Sequence, residues 1–418
     1  MGLYSSFYAS LSGLSANSQS LSVIGNDLAN LNTIGFKGSS STFQDLFNTA
    51  MSGGGGVSGN GNPMQVGLGT RVGAIMQNYA QGSFQSTGNV TDMAISGQGF
   101  FMLRSTTGAR SYTRAGNFTL DQNGFLIDSN GSNVLGWNRT ATGLSTNTAV
   151  SPIQINMGIT SPPIATTTMT TTTNLNANAT VYSAADTSSE YVVPVQVYDS
   201  LGQSHTAQIT YRKTGQNAWS YNVTTDDAAA VVAPGSGTGT LTFDSLGKLQ
   251  TPSPATISPS ISNWTDGAAD MNISWNLTDM VTQYASTSAT SNTTQDGFSS
   301  GSIRSIAVDK DGIITGSFTN GQTLQLSEVA LSTFSNTNGL SKIGDNSWAE
   351  TLTSGSPNIG AANQGGRGSV LGSQLELSNV DVADEFTKLI IAQRGYQANS
   401  RIVTTSDQLL QETLNMKQ

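Results

Sequence analysis

Few side chains in this sequence could carry chemistry. His205 is the only histidine among 418 residues, and cysteine is absent. A Ser-His-Asp triad or a multi-histidine metal site would have to be built around that one imidazole, and thiol catalysis, disulfides and cysteine-ligated metal are excluded. His205 sits in a strand-like run just after a turn, which predicts a surface or half-buried structural histidine. The second candidate is a recurring Asp-x-x-Gly placed between strand-like runs: Asp121–Gly124, Asp199–Gly202, Asp244–Gly247 and Asp309–Gly312. Calcium ligation is the tempting chemistry, but the alternating carboxylates of a calcium loop are missing. An Asp that caps a turn and a Gly that supplies positive φ predict hairpin turns instead.

No nucleophile, acid pair or metal cluster stands out, so no catalytic residue, cofactor or metal is expected. Trp137, Trp219, Trp264, Trp275 and Trp348 are scattered as core or surface aromatics, not as a stacking platform. Charged residues are only 10%, against roughly 25% in an ordinary soluble domain. Ser, Thr, Asn and 46 Gly take their place. Such a surface can pack on copies of itself without desolvating charges. The net charge of −9 comes without a basic patch, so nucleic acid and anionic membrane are poor partners. The first residues lack a basic n-region and an unbroken apolar run, so a cleaved secretory signal is not expected. The longest strictly apolar run, Ala228 to Ala233, falls far short of the roughly 20 residues of a membrane helix.

The elements that position these residues follow from periodicity. Phe7, Leu14, Leu21 and Leu28 repeat every seven residues, as do Val382, Leu389, Tyr396, Val403 and Leu410, with Phe386 in support. This predicts long coiled-coil helices at both ends, each presenting an apolar seam to a partner helix. Ser378–Asp381 reads as a capping box for the second helix. From Met1 to Phe36 the only charge is Asp27, which suits a helix enclosed by neighbouring copies better than one facing water. The middle is patterned as strands. Val193, Val195 and Val197 alternate toward Ile209 and Tyr211 as a half-buried hairpin, and the Thr166–Thr173 tract reads as a crossing strand. The fold class is therefore mixed: long α-helical coiled-coil termini flanking nested all-β domains. The expected divisions are 1–32 with 375–418 (helical), 33–70 with 355–374 (Gly-rich connecting arms), 71–147 with 285–354 (inner β domain) and 148–284 (inserted outer β domain).

Three stretches resemble the flagellar rod and hook axial protein family. The first runs from Leu14 to Lys37 and includes Asn26, Leu28, Ala29, Asn30, Gly35 and Phe36. The second joins Asn379 and Val380 to Arg394, Tyr396 and Asn399. The third pairs Ile95–Phe101 with Tyr112–Phe118. Chain length and the inserted β domain are similar to the hook branch, with a straight distal-rod subunit as the alternative. The resemblance implies a homopolymer, a flexible helical tube around an export channel that passes motor torque to the filament. It implies helices lining the interior and β domains outside. It also implies an extracellular place in the flagellum, export through the flagellar type III apparatus, and contacts with hook cap, distal rod and hook–filament junction proteins.

Overall fold

The computed structural model describes residues 2–46, 48–50, 65–140, 143, 144, 146, 149–187 and 189–416. The first Gly-rich stretch, 53–63, lies outside them. The chain divides into two compact units, 1–157 with 306–316 and 325–418, and 158–305 with 317–324.

In the first unit, helix α1 (Gly2–Ala29) and helix α2 (Val382–Asn415) pack against each other. At 28 and 34 residues they are about 42 and 51 Å long. They run antiparallel: a Cβ on Gly13 would lie 2.6 Å from the Asn399 amide, and one on Gly395 would lie 3.1 Å from Asn17. Among the residues of α1 whose burial is described, those fully buried are small or polar, namely Ser10, Gly13, Ala16, Ser20 and Asp27, with Ile24 as the large apolar exception. On α2 the buried positions are Glu385, Ala392 and Ser406. The predicted apolar series flanks this contact instead. Phe7, Leu14, Leu21, Leu28, Leu389, Val403 and Leu410 are half-buried, while Val382, Phe386 and Tyr396 are exposed. Close approach at Gly13 and Gly395 favours small residues in the seam and displaces the leucines to its edge.

The capping reading also shifts. The Asp381 carboxylate accepts from the backbone N–H groups of Ala383 (2.8 Å) and Asp384 (3.2 Å), so Asp381, not Ser378, caps α2. Between the helices, strand Ser39–Asp45 pairs antiparallel with Thr70–Gln77 as a ribbon against α1. Residues 355–374, expected as a Gly-rich arm, are paired: Asn358–Ala361 with Thr323–Thr333, and Ser369–Gly372 with Met93–Ser96. The body is a sheet in which Thr323–Thr333, Asn133–Asn138, Phe100–Arg104, Arg110–Thr113, Ser347–Ala349 and Ser341–Gly344 lie side by side. Phe100, Met102, Tyr112, Trp137 and Trp348 form its core.

The second unit packs two sheets over one core. One sheet is an antiparallel meander, Glu190–Tyr198, Ser204–Gly215, Ala218–Thr225, Thr238–Phe243 and Leu249–Thr251. The other centres on Thr168–Asn176, which holds the threonine tract and pairs parallel with Ser274–Asn276 and Val281–Tyr284. Ala289–Gln295, which the sequence reading places in the inner β domain, pairs antiparallel with that same strand. Alternation is as read: Val193, Val195, Val197, Ile209 and Tyr211 are all buried. All four Asp-x-x-Gly segments are turns with the glycine at positive φ, and the Asp Oδ1 accepts two backbone N–H groups in each. Asp128–Gly131 is a fifth copy. His205, expected at the surface or half-buried, is 8% exposed, with Nε2 3.1 Å from Asp199 Oδ2 and its ring 4.3 Å from that of Trp264.

Trp275 anchors the second unit. It is fully buried, stacks edge-on to Tyr221 at 5.7 Å, and donates from Nε1 to Thr171 Oγ1 at 3.1 Å. Trp275→Ala should therefore lower the stability of this unit by about 3–5 kcal/mol in urea unfolding. A loss below about 1 kcal/mol would mean that the ring does not hold the two sheets together.

Candidate assembly site

Where α1 ends and α2 begins, the two ends of the chain lie side by side. The Gly35 N–H donates to the Glu376 carbonyl at 2.7 Å, and the Asn379 N–H to the Phe36 carbonyl at 3.4 Å. Gly35 has φ +67°, and a Cβ there would lie 2.6 Å from the Ala115 nitrogen, so only glycine fits. Asn379 spans three strands of chain. Its Oδ1 accepts from Gly38 N–H at 2.9 Å, and its Nδ2 donates to the carbonyls of Asn78 (2.7 Å) and Ala80 (3.0 Å). Val380 covers Gly38, and Phe36 is buried with the Lys342 ammonium 4.7 Å from its ring centre.

Beneath this lies a buried ionic cluster. Glu376 Oε1 is 2.6 Å from Lys37 Nζ, and Oε2 is 3.4 Å from Arg114 Nη1. The Gly82 N–H also donates to Oε1 at 2.9 Å. The second cation is balanced by carbonyls: Lys37 donates to Ala80 O at 2.8 Å and Arg114 to Gly97 O at 2.7 Å. Burial pushes the Lys37 ammonium below the ordinary lysine value, opposed by its bond to Glu376. One turn away, Asp27 Oδ2 accepts from Ser39 N–H at 2.8 Å, while Oδ1 is buried without a partner. Burial pushes Asp27 above the ordinary carboxylate value, and the Glu385 carboxylate on α2 adds to this.

The structure thus brings Gly35, Phe36, Asn379 and Val380 into one junction. It leaves Asn26, Ala29, Arg394 and Tyr396 exposed and half-buries Leu28. Asn30 Nδ2 closes the end of α1 by donating to the Asn26 carbonyl at 2.9 Å, and Asn399 faces Gly13 in the helix contact. The sequence reading gives Lys37, Arg114 and Glu376 no role. The available signal is a charge beside glycines and apolar residues in a chain otherwise stripped of charge.

Glu376→Gln should cost about 3–5 kcal/mol in denaturant unfolding, because it strands two buried cations. An effect within 0.5 kcal/mol would make the cluster incidental. Asp27→Asn should act in the opposite direction. With its folded pKa raised, Asp27 stabilises fully below its ordinary 3.8 and loses that contribution as pH rises through the folded value. The asparagine keeps the acceptor for Ser39, so the variant should be more stable than the parent at pH 7 and match it near pH 3. A destabilised variant at pH 7 would contradict this.

Four family models match the chain in order. Residues 7–37 match the flagella basal body rod protein, and 94–177 the flagellar hook protein FlgE/F/G D1 domain. Residues 169–298 match the flagellar basal body protein FlaE D2 domain, and 372–416 the flagellar basal body rod FlgEFG protein C-terminal region. The flagellar hook protein FlgE of Salmonella typhimurium is 33% identical, covering 99% of this chain and 100% of that protein. FlgE of Borreliella burgdorferi is 33% identical over 99% of each. The crystal structure of Helicobacter pylori flagellar hook protein FlgE2 aligns with TM-score 0.50 at 16% identity, over 70% of this chain and 100% of that one. Gly35, Phe36 and Lys37, Arg114, and Glu376, Asn379 and Val380 of the junction fall inside the first, second and fourth matched segments, and with full-length relatives at 33% identity the chain belongs to the flagellar hook protein family.

Proposed function

We propose that the chain is the structural subunit of a hook, polymerising through α1 and α2 into a flexible tube that carries torque and surrounds an export channel. The observation that carries this reading is the apolar surplus on α2. Phe386, Ile390, Ile391 and Ile402 are 52, 55, 66 and 43% exposed, outside the polar seam with α1. A helix with apolar side chains on both flanks of its one contact has room for two further neighbours. Next to it, a cleft of about 290 Å³ between α1, the ribbon and α2 is lined by Val23, Ile24, Phe43, Lys388 and Ile391. Neighbouring copies would fill both, and the displaced heptad series (Leu14, Leu21 and Leu28 on α1; Leu389 and Val403 on α2) would then form coiled-coil seams between subunits. On this reading the helices face the channel and the tube lies outside the cell, in the flagellum.

Bending follows from the surface chemistry. Ser, Thr and Asn present hydrogen bonds that exchange through water at little cost, so subunit faces can slide while the helices hold. A straight, distal-rod-like polymer is disfavoured, since the relatives that match along their whole length are hook proteins.

Phe386→Ser with Ile391→Ser should leave the unfolding free energy of the monomer within about 0.5 kcal/mol, as both side chains are exposed, yet abolish tube formation. Deleting Val382 onward spares Glu376 and Asn379 and should leave a folded, soluble body that does not polymerise. Negative-stain images of the parent should show curved tubes. Straight tubes from the parent, or tubes from either variant, would overturn the reading.

A further inference from the structure

The mechanism of assembly makes no use of the one histidine, yet His205 is among the most elaborately held side chains of the second unit. Its Nε2 edge faces Asp199 Oδ2 at 3.1 Å, and its Nδ1 edge faces Asp226 Oδ1 at 3.8 Å. Trp264 lies over the ring at 4.3 Å. Asp266, two residues beyond that tryptophan and exposed, brings a second carboxylate close to that of Asp199. One ligand atom each from Asp199, His205 and Asp266 lies within 4.8 Å of the others.

Each carboxylate is oriented by the backbone through one oxygen. Asp199 Oδ1 accepts from Leu201 and Gln203 N–H, both at 2.9 Å, which leaves Oδ2 for the imidazole side. Asp266 Oδ1 accepts from Ala268 N–H at 3.0 Å. The loop that carries Trp264 and Asp266 is pinned by Thr265, whose N–H donates to Asp227 Oδ2 at 2.9 Å. The Thr265 hydroxyl, which donates to Asp227 Oδ1, together with that N–H and the Ala229 N–H, holds the Asp227 carboxyl down to about 2. None of the other Asp-x-x-Gly turns carries a histidine after it. At Asp199 the turn has gained an imidazole, a second carboxylate and an outer carboxylate on the far ring nitrogen.

We propose that Asp199, His205 and Asp266 form a site for a divalent transition metal ion of the zinc class, with Asp226 as the outer partner of the imidazole. One nitrogen and two carboxylate oxygens are a three-ligand set that leaves a fourth tetrahedral position to water. Zinc–ligand bonds of about 2.0–2.2 Å put ligand atoms about 3.3 Å apart. The His205–Asp199 pair is already at that spacing, and the exposed Asp266 closes the remainder by turning its side chain. An imidazole ligand selects zinc, nickel, cobalt or copper over calcium and magnesium, which take oxygen cages. Asp226 beside Nδ1 stands where a carboxylate commonly orients a metal-bound histidine.

The test is calorimetric titration of the full-length, tag-free chain with Zn²⁺, with Mg²⁺ and Ca²⁺ as controls, and Co²⁺ absorption as a second readout. With no cysteine and one histidine, nitrogen ligation reports His205 alone. The expected result is one Zn²⁺ per chain, no comparable Mg²⁺ or Ca²⁺ binding, and affinity that falls as acid protonates the ligands. Asp266→Asn, at an exposed position, should keep the fold by circular dichroism and weaken Zn²⁺ binding at least tenfold, while His205→Gln abolishes it. No saturable Zn²⁺ binding, or binding unchanged in Asp266→Asn, would overturn the site and leave His205 as a rivet for its turn.

Discussion

The Glu376 side chain lies in a dry interior, and the chain surrounds it with two cations and an amide group drawn from three separate stretches. Lys37 comes from just after α1, Gly82 from the link into the body, and Arg114 from the sheet. An incompletely assembled version of this cluster would leave a charge buried and uncompensated, which costs several kcal/mol. The cluster is therefore satisfied only when both ends of the chain and the β body are in register together. Asn379 repeats the same logic with neutral groups, closing on Gly38, Asn78 and Ala80 at once. Both devices lie just outside the helices, so the orientation in which α1 and α2 leave the body is set by polar geometry and not by the helices' own packing.

That division of labour explains the helix pair. Gly13 against Asn399, and Asn17 against Gly395, bring two backbones close without large side chains between them. Such a seam buries little apolar area, about 25 cal/mol per Å² being the return on what it does bury, so it cannot be the chief use of two helices that carry so many leucines and isoleucines. The large apolar residues lie along its edges and outer flanks, where a neighbouring helix can reach them.

The sequence made the elements legible but not their partners. Period seven at Phe7–Leu28 and Val382–Leu410 located both helices within a few residues, because local periodicity determines helix existence. It did not reveal that α1 and α2 of one chain meet through a small-residue stripe, because how closely two backbones approach is not encoded in periodicity. The Asp-x-x-Gly turns were readable, since their chemistry is local to five residues. The Lys37–Glu376–Arg114 cluster was not: Lys37 and Glu376 are 339 positions apart, and a single charge beside a glycine carries no mark of its distant partner. His205 is likewise more buried than the surface or half-buried place its local sequence predicts, because Trp264 and Asp226, which flank it, lie on loops that only the folded sheets bring near.

The same turns account for how the chain manages with so few cations. Asp+Glu number 26 against 17 Lys+Arg, an excess that an ordinary surface would balance with ion pairs. Here Asp121, Asp128, Asp199, Asp244 and Asp309 each spend an oxygen on two backbone N–H groups of their own turn, so these five carboxylates are held by local amides without needing a cation. A hydrogen bond of this kind is short-ranged and stays with its turn, whereas an unpaired surface charge repels a like neighbour over roughly 8–10 Å. Identical subunits meeting face to face would bring like charges together at every contact. With charged residues at only 10% of the chain and Ser, Thr and Asn in their place, such like-charge encounters are kept sparse, and neutral polar groups can meet without the cost of desolvating ions.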